Sequence, residues 1–200
     1  MSPGGTVRAF LAVASDPLWV ASARDLLARV RAVLPDASWT RPESWHLTIR
    51  FLGETLPDTV EAFANGVDPL ASGCGPGALQ AGEPAVFPTR GPARVLGVGF
   101  RATPGLEELR RLAAGIESVA RLVGAEREDR PFHPHVTFAR VRNPWPRAAV
   151  DSFRDEVSGW SFPPWPLRAC VLYTSRLSPT GAVHTPLREW EVAGAGRVPA

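Results

Sequence analysis

Two short segments of the chain repeat one pattern of histidine and threonine. His46-Leu47-Thr48-Ile49 is followed 89 positions later by His135-Val136-Thr137-Phe138, and both segments lie in apolar runs rich in strand-forming residues. Because side chains alternate between the two faces of a strand, the histidine and the threonine of each segment point the same way. Imidazole titrates near neutral pH, so one histidine can act as an acid while the other acts as a base. The pair predicts acid–base chemistry on a group that two hydroxyls can hold.

A phosphodiester fits this set of side chains. Its displacement needs a base for the attacking oxygen, an acid for the leaving oxygen, and donors to the non-bridging oxygens. Two histidines and two threonines supply these groups. The chain contains no lysine, which excludes a phosphate-binding loop ending in Gly-Lys. A Gly-x-Ser-x-Gly segment, typical of serine hydrolases, is also absent from the sequence.

Composition indicates one globular unit with a weak preference for a polyanion. With 200 residues, 44% of them hydrophobic, the chain can bury one substantial core. All 22 basic residues are arginine, which suits phosphate geometry, although biased base composition explains the lack of lysine. Two cysteines are too few for a disulfide framework. Apolar runs are too short for a signal peptide or a membrane span. We therefore expect a cytoplasmic monomer with no membrane partner.

Hydrophobic periodicity and turn residues predict the same order of elements in each half of the chain. The predicted fold is α+β, a single bilobal domain of two duplicated β-α-β-α-β lobes related by a pseudo-twofold axis. Mostly antiparallel sheets line a central cleft. Lobe 1 covers about residues 1–90 and lobe 2 about 91–200, with strand exchange between the lobes left open. Strands are predicted at 7–14, 45–52, 79–87, 94–101, 135–141, 167–174 and 183–192, and helices at 17–34, 58–70, 104–124 and 146–157.

The two motifs resemble those of a known superfamily. Residues 46–54 and 130–141 are similar to the two signature motifs of the 2H phosphoesterases. Within that superfamily the similarity is greatest to bacterial and archaeal RNA 2′,3′-cyclic phosphodiesterases, also called 2′-5′ RNA ligases. It extends to residues 8–10 and 172–177 and so spans nearly the whole chain. The resemblance implies an enzyme without metal or other cofactor. This enzyme would open 2′,3′-cyclic phosphates at RNA 3′ ends to 2′-phosphomonoesters, with 2′-5′ ligation as the reverse of a related cleavage.

The resemblance also implies a role for individual residues. His46 would donate a proton to the departing 3′ oxygen, and His135 would activate water. Further implied contacts are those of Thr48 and Thr137 with the phosphate oxygens, Arg140 with the phosphate or ribose, and Phe51 and Phe10 with the terminal nucleotide. Regular strand alternation places Arg50 on the face of His46, and Phe51 and Arg140 on the opposite faces of their strands. Either the strands end or bulge there, or Phe51 and Arg140 are structural residues.

Several alternatives remain open from the sequence. The chain could bind RNA ends with little turnover, or act on another cyclic nucleotide, an ADP-ribose cyclic phosphate or a 2′-5′ linkage. A zinc site of His46, His133 and His135 is disfavoured because Pro134 places His133 in a loop. His184 stands where the family commonly has tyrosine, and we expect an ordinary residue at a strand edge. Ser175 is left open as a contributor.

Overall fold

The structure, a computed structural model, describes residues 5–34, 36–178 and 181–192, and it confirms the predicted order of elements. Residue 35, directly after the predicted first helix, and the parts of the predicted lobes at residues 1–4, 179–180 and 193–200 lie outside the described residues. In chain order the elements are β1 (Val7–Val13), α1 (Pro17–Val33), β2 (Ser38–Trp39), a 3₁₀ turn (Pro42–Ser44), β3 (Leu47–Thr55), α2 (Pro57–Ser72), β4 (Ala78–Leu79), β5 (Ala81–Phe87), β6 (Val95–Phe100), α3 (Pro104–Leu122), β7 (His135–Arg140), α4 (Arg147–Ser158), β8 (Trp165–Pro166), β9 (Ala169–Ser178) and β10 (Gly181–Glu191).

A capping side chain followed by proline starts the first helix of each half. The Asp16 carboxylate accepts hydrogen bonds from the amides of Leu18 and Trp19 at 2.9 and 3.1 Å. Thr103 Oγ1 accepts one from the Leu106 amide at 3.2 Å. Because proline has a φ angle suited to the first helical position, these caps fix where α1 and α3 begin.

The strands form two four-stranded antiparallel sheets and one short pair, which confirms the α+β class. The first sheet has the order β10-β9-β1-β3 and the second the order β2-β7-β6-β5, while β4 pairs with β8. β5 follows the first motif in sequence but lies in the sheet of the second, and β9 follows the second motif but lies in the sheet of the first. Each sheet thus takes strands from both halves of the sequence.

Helices and sheets share one apolar core. α3 packs against β3 and α2, and α4 packs against β5 and α1. The largest fully buried side chains include Trp19, Phe63, Phe138, Phe153 and Trp165. Among the helices that the structure describes, none combines the length and hydrophobicity needed to cross a membrane.

Each motif strand carries a bulge directly after its threonine. Between β1 and β3 the pairing passes from Thr48 to Arg50, which leaves Ile49 without a partner residue. Between β6 and β7 it passes from Thr137 to Ala139, which leaves out Phe138 in the same way. Both bulged side chains are buried. A one-residue bulge reverses the alternation of faces, so the residues beyond it point to the opposite side from a regular strand.

Contacts of Phe138 join the two motif strands. The Phe138 carbonyl accepts a hydrogen bond from the Thr40 amide at 2.7 Å, next to the pairing of β2 with β7. The Phe138 ring stacks on Trp45, with centroids 4.8 Å apart and planes at 11°. Because Trp45 precedes His46 in sequence, this stacking holds the first motif against the bulge of the second.

Gly97 allows the close approach of β6 and β7 at the bulge. A Cβ atom at Gly97 would overlap the carbonyl oxygen of Val136, whereas at Gly99, on the same strand, the nearest atom would lie at 3.4 Å. We therefore expect Gly97→Ala to lower the free energy of unfolding by about 1–3 kcal/mol through overpacking. Gly99→Ala is the matched control and should cost less. Chemical denaturation measures both, and equal stabilities of the two variants would contradict this account of the bulge.

Candidate active site

The two motifs meet at a cleft between β3 and β7. His46 and Thr48 line a cavity of about 760 Å³ together with His135 and Thr137. A second cavity of about 840 Å³ shares part of this lining. The residues lining both cavities are Thr48, Phe51, His135, Thr137 and Arg140. The structure therefore brings together both histidines and both threonines predicted from the sequence.

The backbone orients both imidazoles in the same way. His46 Nδ1 donates a hydrogen bond to the Ser44 carbonyl at 2.8 Å, and His135 Nδ1 donates one to the His133 carbonyl at 2.7 Å. A carbonyl oxygen can only accept, so Nδ1 carries the proton. In the neutral ring Nε2 then has a free lone pair and can take a proton, and in the charged ring it can give one.

The bulges place Phe51 and Arg140 in the cleft. Both residues line both cavities, and Phe51 is 47% exposed. Arg50 instead turns away from His46 and is buried. Its Nε lies 2.6 Å from Glu117 Oε2, and its guanidinium donates to the carbonyls of Phe51 and Glu126. The face predicted by regular alternation is wrong for all three residues beyond Thr48 and Thr137, because each strand gains one residue there.

Phe10 lies underneath the site. Its ring centroid lies 4.8 Å from that of His46, 5.7 Å from Phe51 and 5.2 Å from Tyr173. Only 1% of Phe10 is exposed, which leaves almost no ring surface for a nucleotide. This ring packs against the His46 imidazole and lines the smaller cavity beside it, and its implied contact with the terminal nucleotide stays a prediction.

His184, expected to be an ordinary residue at a strand edge, lies on the edge strand β10 and is a third histidine beside the motif histidines. Its ring meets that of His46 edge to face at 5.1 Å and that of Phe10 at 4.9 Å. It lines the smaller cavity, as does Ser175, which faces it across the β9–β10 pair. His184 Nδ1 is buried and has no hydrogen-bond partner among the residues described. Only the register of β10 brings this side chain to His46, and no local motif encodes that register.

Burial and neighbouring cations lower the pKa of all three histidines. Burial lowers the pKa of His46 to about 4, with smaller contributions from the charges of His184 and His135 and a partly opposing hydrogen bond to Ser44. The pKa of His135 is lowered by burial and by the nearby charges of Arg140 and His133. That of His184 is lowered by burial and by Arg8. At neutral pH the unliganded site therefore holds neutral imidazoles.

The side chains of this region do not form a metal-binding set. Across the described ranges, no group of three or more His, Cys, Asp or Glu residues is placed to hold a metal ion. His133 is exposed, and its ring lies beside Phe87 at 6.0 Å. The structure gives no support to the three-histidine zinc alternative: what His133 contributes to His135 is its backbone carbonyl.

The sequence profile described as LigT like Phosphoesterase matches this chain over residues 18–97 and 102–184, which hold one motif each. The chain belongs to this family. The RNA 2′,3′-cyclic phosphodiesterase of Thermus thermophilus is 31% identical over 170 residues, 81% of this chain and 80% of that protein. The one of Methanothermobacter thermautotrophicus is 27% identical over 183 residues, 90% of this chain and 95% of that protein.

Solved structures of the family share the fold. The crystal structure of TT0787 of Thermus thermophilus matches with a TM-score of 0.74 at 28% identity, covering 94% of this chain and 99% of that one. Apo LigT of E. coli matches with a TM-score of 0.68 at 21% identity, over 94% and 98% of the two chains. The predicted family, fold class and phosphoesterase function are confirmed.

A crossed pair of substitutions tests the electrostatics of the LigT-like site. His184→Gln removes a group whose positive charge, when it is protonated, lowers the pKa of His46, so it should raise that pKa and leave the pKa of His135 nearly unchanged. His133→Gln removes the neighbouring histidine that contributes to the lowered pKa of His135, so it should do the reverse. NMR titration of the imidazole Cε1 protons measures both values in each variant. Equal shifts of the two histidines in one variant would contradict the separate pairing of charges.

Proposed function

We propose that this phosphoesterase opens the 2′,3′-cyclic phosphate at RNA 3′ ends and leaves a 2′-phosphomonoester. The paired His-x-Thr segments carry the proposal, because they supply two oppositely placed proton-transfer groups and two hydroxyls around one cleft. The names of the Thermus and Methanothermobacter relatives give the substrate class. We also propose that the protein acts as a monomer, and that it works in the cytoplasm, in keeping with its two free, buried cysteines.

In the proposed reaction, water attacks phosphorus and the bond from phosphorus to the 3′ oxygen breaks. Nε2 of His135 takes the proton of the attacking water, and Nε2 of His46 gives a proton to the departing 3′ oxygen. The hydrogen bonds to the Ser44 and His133 carbonyls hold each ring with Nε2 free for this purpose. General acid–base catalysis of this kind contributes about 10²- to 10⁴-fold to the rate.

The threonines and Arg140 complete the proposed site. Thr48 and Thr137 lie two residues after the histidines and line the same cavity, so their hydroxyls can donate to the non-bridging oxygens. Arg140, beyond the second bulge, adds a positive charge that stabilises the negative charge developing on the phosphate. Phe51, exposed beyond the first bulge, offers a ring face to the terminal base.

Because the pKa values of both histidines are lowered, the bound substrate must favour protonation of the imidazole that acts as the acid. At neutral pH neither histidine is charged in the free protein, yet the proposed acid must carry a proton. A phosphodiester anion beside the imidazoles favours the charged ring and raises its pKa. Substrate binding would therefore take up one proton, and the shared proton would belong to the coupled pair rather than to either ring alone.

Removing either imidazole tests this function. His46→Ala and His135→Ala should each lower kcat by about 10²- to 10⁴-fold on a short RNA ending in 2′,3′-cyclic phosphate. The thermal midpoint and the amide NMR spectrum should show that both variants remain folded. Near-full activity of a folded variant would remove that histidine from the mechanism. A wild-type protein that binds the RNA end without turning it over would instead be an RNA-end-binding protein.

The pH dependence tests the role of the bound anion. Because both pKa values lie below the ordinary 6.5, the bell-shaped profile of kcat/KM, which reports the free protein, should have its maximum on the acidic side of pH 6.5. The profile of kcat reports the complex, and its limbs should lie at higher pH. A kcat profile with limbs at or below those of kcat/KM would contradict the proposed proton uptake.

A further inference from the structure

The smaller cavity carries more positive charge than one phosphate requires. Its lining includes no aspartate or glutamate among the described residues. Besides the motif histidines and His184, it presents the guanidinium groups of Arg8, Arg41, Arg140 and Arg142. These arginines come from three separate segments: β1, the loop before the 3₁₀ turn, and the end of β7 with the loop that follows. The positive charge of the lining is therefore supplied by three separate parts of the chain.

None of these four arginines forms an ion pair within the part of the chain that the structure describes. Glu54 is the β3 residue paired with Arg8, and its carboxylate instead accepts a hydrogen bond from Thr6 at 3.3 Å. The larger cavity differs, because three of its arginines are each bound to a glutamate: Arg50 to Glu117, Arg110 to Glu107, and Arg130 to Glu128.

The two cavities around the motifs thus differ in how their arginines are paired. Arginines paired with glutamate are already neutralised, whereas unpaired arginines around one cavity repel each other and favour an anionic ligand. A single cyclic phosphate beside the histidines is within reach of Arg140, whose charge already acts on His135. Arg8, Arg41 and Arg142 are left with no anion to bind in that complex.

Neutral donors and an aromatic ring accompany these arginines. The hydroxyl side chains that line the cavity beyond the motifs include Ser38, Thr40, Ser44 and Ser175. Trp39, half-buried at the edge of the cavity, adds an aromatic surface. A positively charged groove with hydroxyls and an aromatic ring is the combination that holds a single-stranded nucleic acid without reading its sequence.

We propose that the cavity lined by Arg8, Arg41 and Arg142 binds the backbone phosphates of the RNA segment on the 5′ side of the cyclic phosphate. This inference rests on the proposed function and deepens it. The preferred substrate is an oligonucleotide or longer RNA, and a mononucleoside 2′,3′-cyclic phosphate leaves the subsite empty. Recognition of the RNA is electrostatic and independent of sequence.

Salt dependence with two substrates tests the subsite. We would measure kcat/KM between 50 and 500 mM KCl for a hexanucleotide ending in 2′,3′-cyclic phosphate and for cytidine 2′,3′-cyclic phosphate. Wild-type protein should prefer the hexanucleotide. The slope of log kcat/KM against log salt should be steeper for the hexanucleotide than for cytidine 2′,3′-cyclic phosphate, by about 0.7 for each additional phosphate contact. Arg41→Gln and Arg142→Gln should each reduce that slope by about 0.7 and leave cytidine 2′,3′-cyclic phosphate hydrolysis unchanged.

Arg31→Gln is the matched control, because Arg31 is exposed on α1 and does not line either cavity. It should leave both substrates and both slopes unchanged. Equal kcat/KM values and equal slopes for the two substrates in the wild type would overturn the subsite while leaving the proposed function intact. Equal losses on both substrates in the Arg41 and Arg142 variants would also overturn it.

A binding measurement separates the subsite from catalysis. A fluorescein-labelled hexanucleotide ending in a 3′-phosphate, followed by fluorescence anisotropy, reports binding without turnover. The Arg41 and Arg142 variants should bind it more weakly and with a shallower salt dependence than wild type or Arg31→Gln. If no substrate is hydrolysed, the proposed function fails, and anisotropy still decides whether the subsite exists. If the Arg41 and Arg142 variants both bind the hexanucleotide as wild type does, the subsite proposal is overturned.

Discussion

The stacking of Trp45 on Phe138 is the contact on which the geometry of the site depends. Trp45 precedes the first catalytic candidate, His46, and Phe138 is the bulged residue that follows the second threonine. Both side chains are almost completely buried, so the contact fixes the two motif strands relative to each other within the core. Proton-transfer groups work only when they are held within hydrogen-bond reach of the reacting atoms, and a shared core contact is a rigid way to hold them. The amide of Thr40 completes this connection by binding the Phe138 carbonyl.

The duplicated motifs create symmetry in position but not in environment. Each histidine is oriented by the carbonyl two residues before it, and each threonine is followed by a bulge. His46, however, lies among Phe10, Tyr173 and His184. His135 instead lies beside Phe87, and the positive charge of Arg140 acts on it. Two chemically identical groups in unlike surroundings can divide the roles of acid and base. The asymmetry extends to the cavities, since glutamates neutralise three of the arginines that line the larger cavity, whereas no described glutamate pairs with the arginines that line the smaller one.

Local patterns in the sequence were sufficient for the four helices, the seven longer strands and the placement of the four motif side chains, but not for the two-residue strands β2, β4 and β8. The cap-plus-proline starts at Asp16 and Thr103, and the alternation around His46 and His135, depend on neighbours along the chain, and these predictions were confirmed. Regular alternation alone gives the wrong faces for Arg50, Phe51 and Arg140. The sequence left open whether the strands bulge before them, because a bulge depends on packing around Ile49 and Phe138, which periodicity does not report. The position of His184 beside His46 could not be predicted for a related reason: it depends on the pairing of β10 with β9.

The product of the reaction tests the central claim most directly. Wild-type protein would be incubated, in excess EDTA and in water enriched in ¹⁸O, with a short RNA ending in 2′,3′-cyclic phosphate. Phosphorus NMR and mass spectrometry of the product then give the position of the phosphate and its oxygen isotopes. The account predicts a 2′-phosphate that contains one ¹⁸O atom, because water attacks phosphorus while the 3′ oxygen leaves. A 3′-phosphate, or a product formed only when a metal ion is supplied, would contradict it.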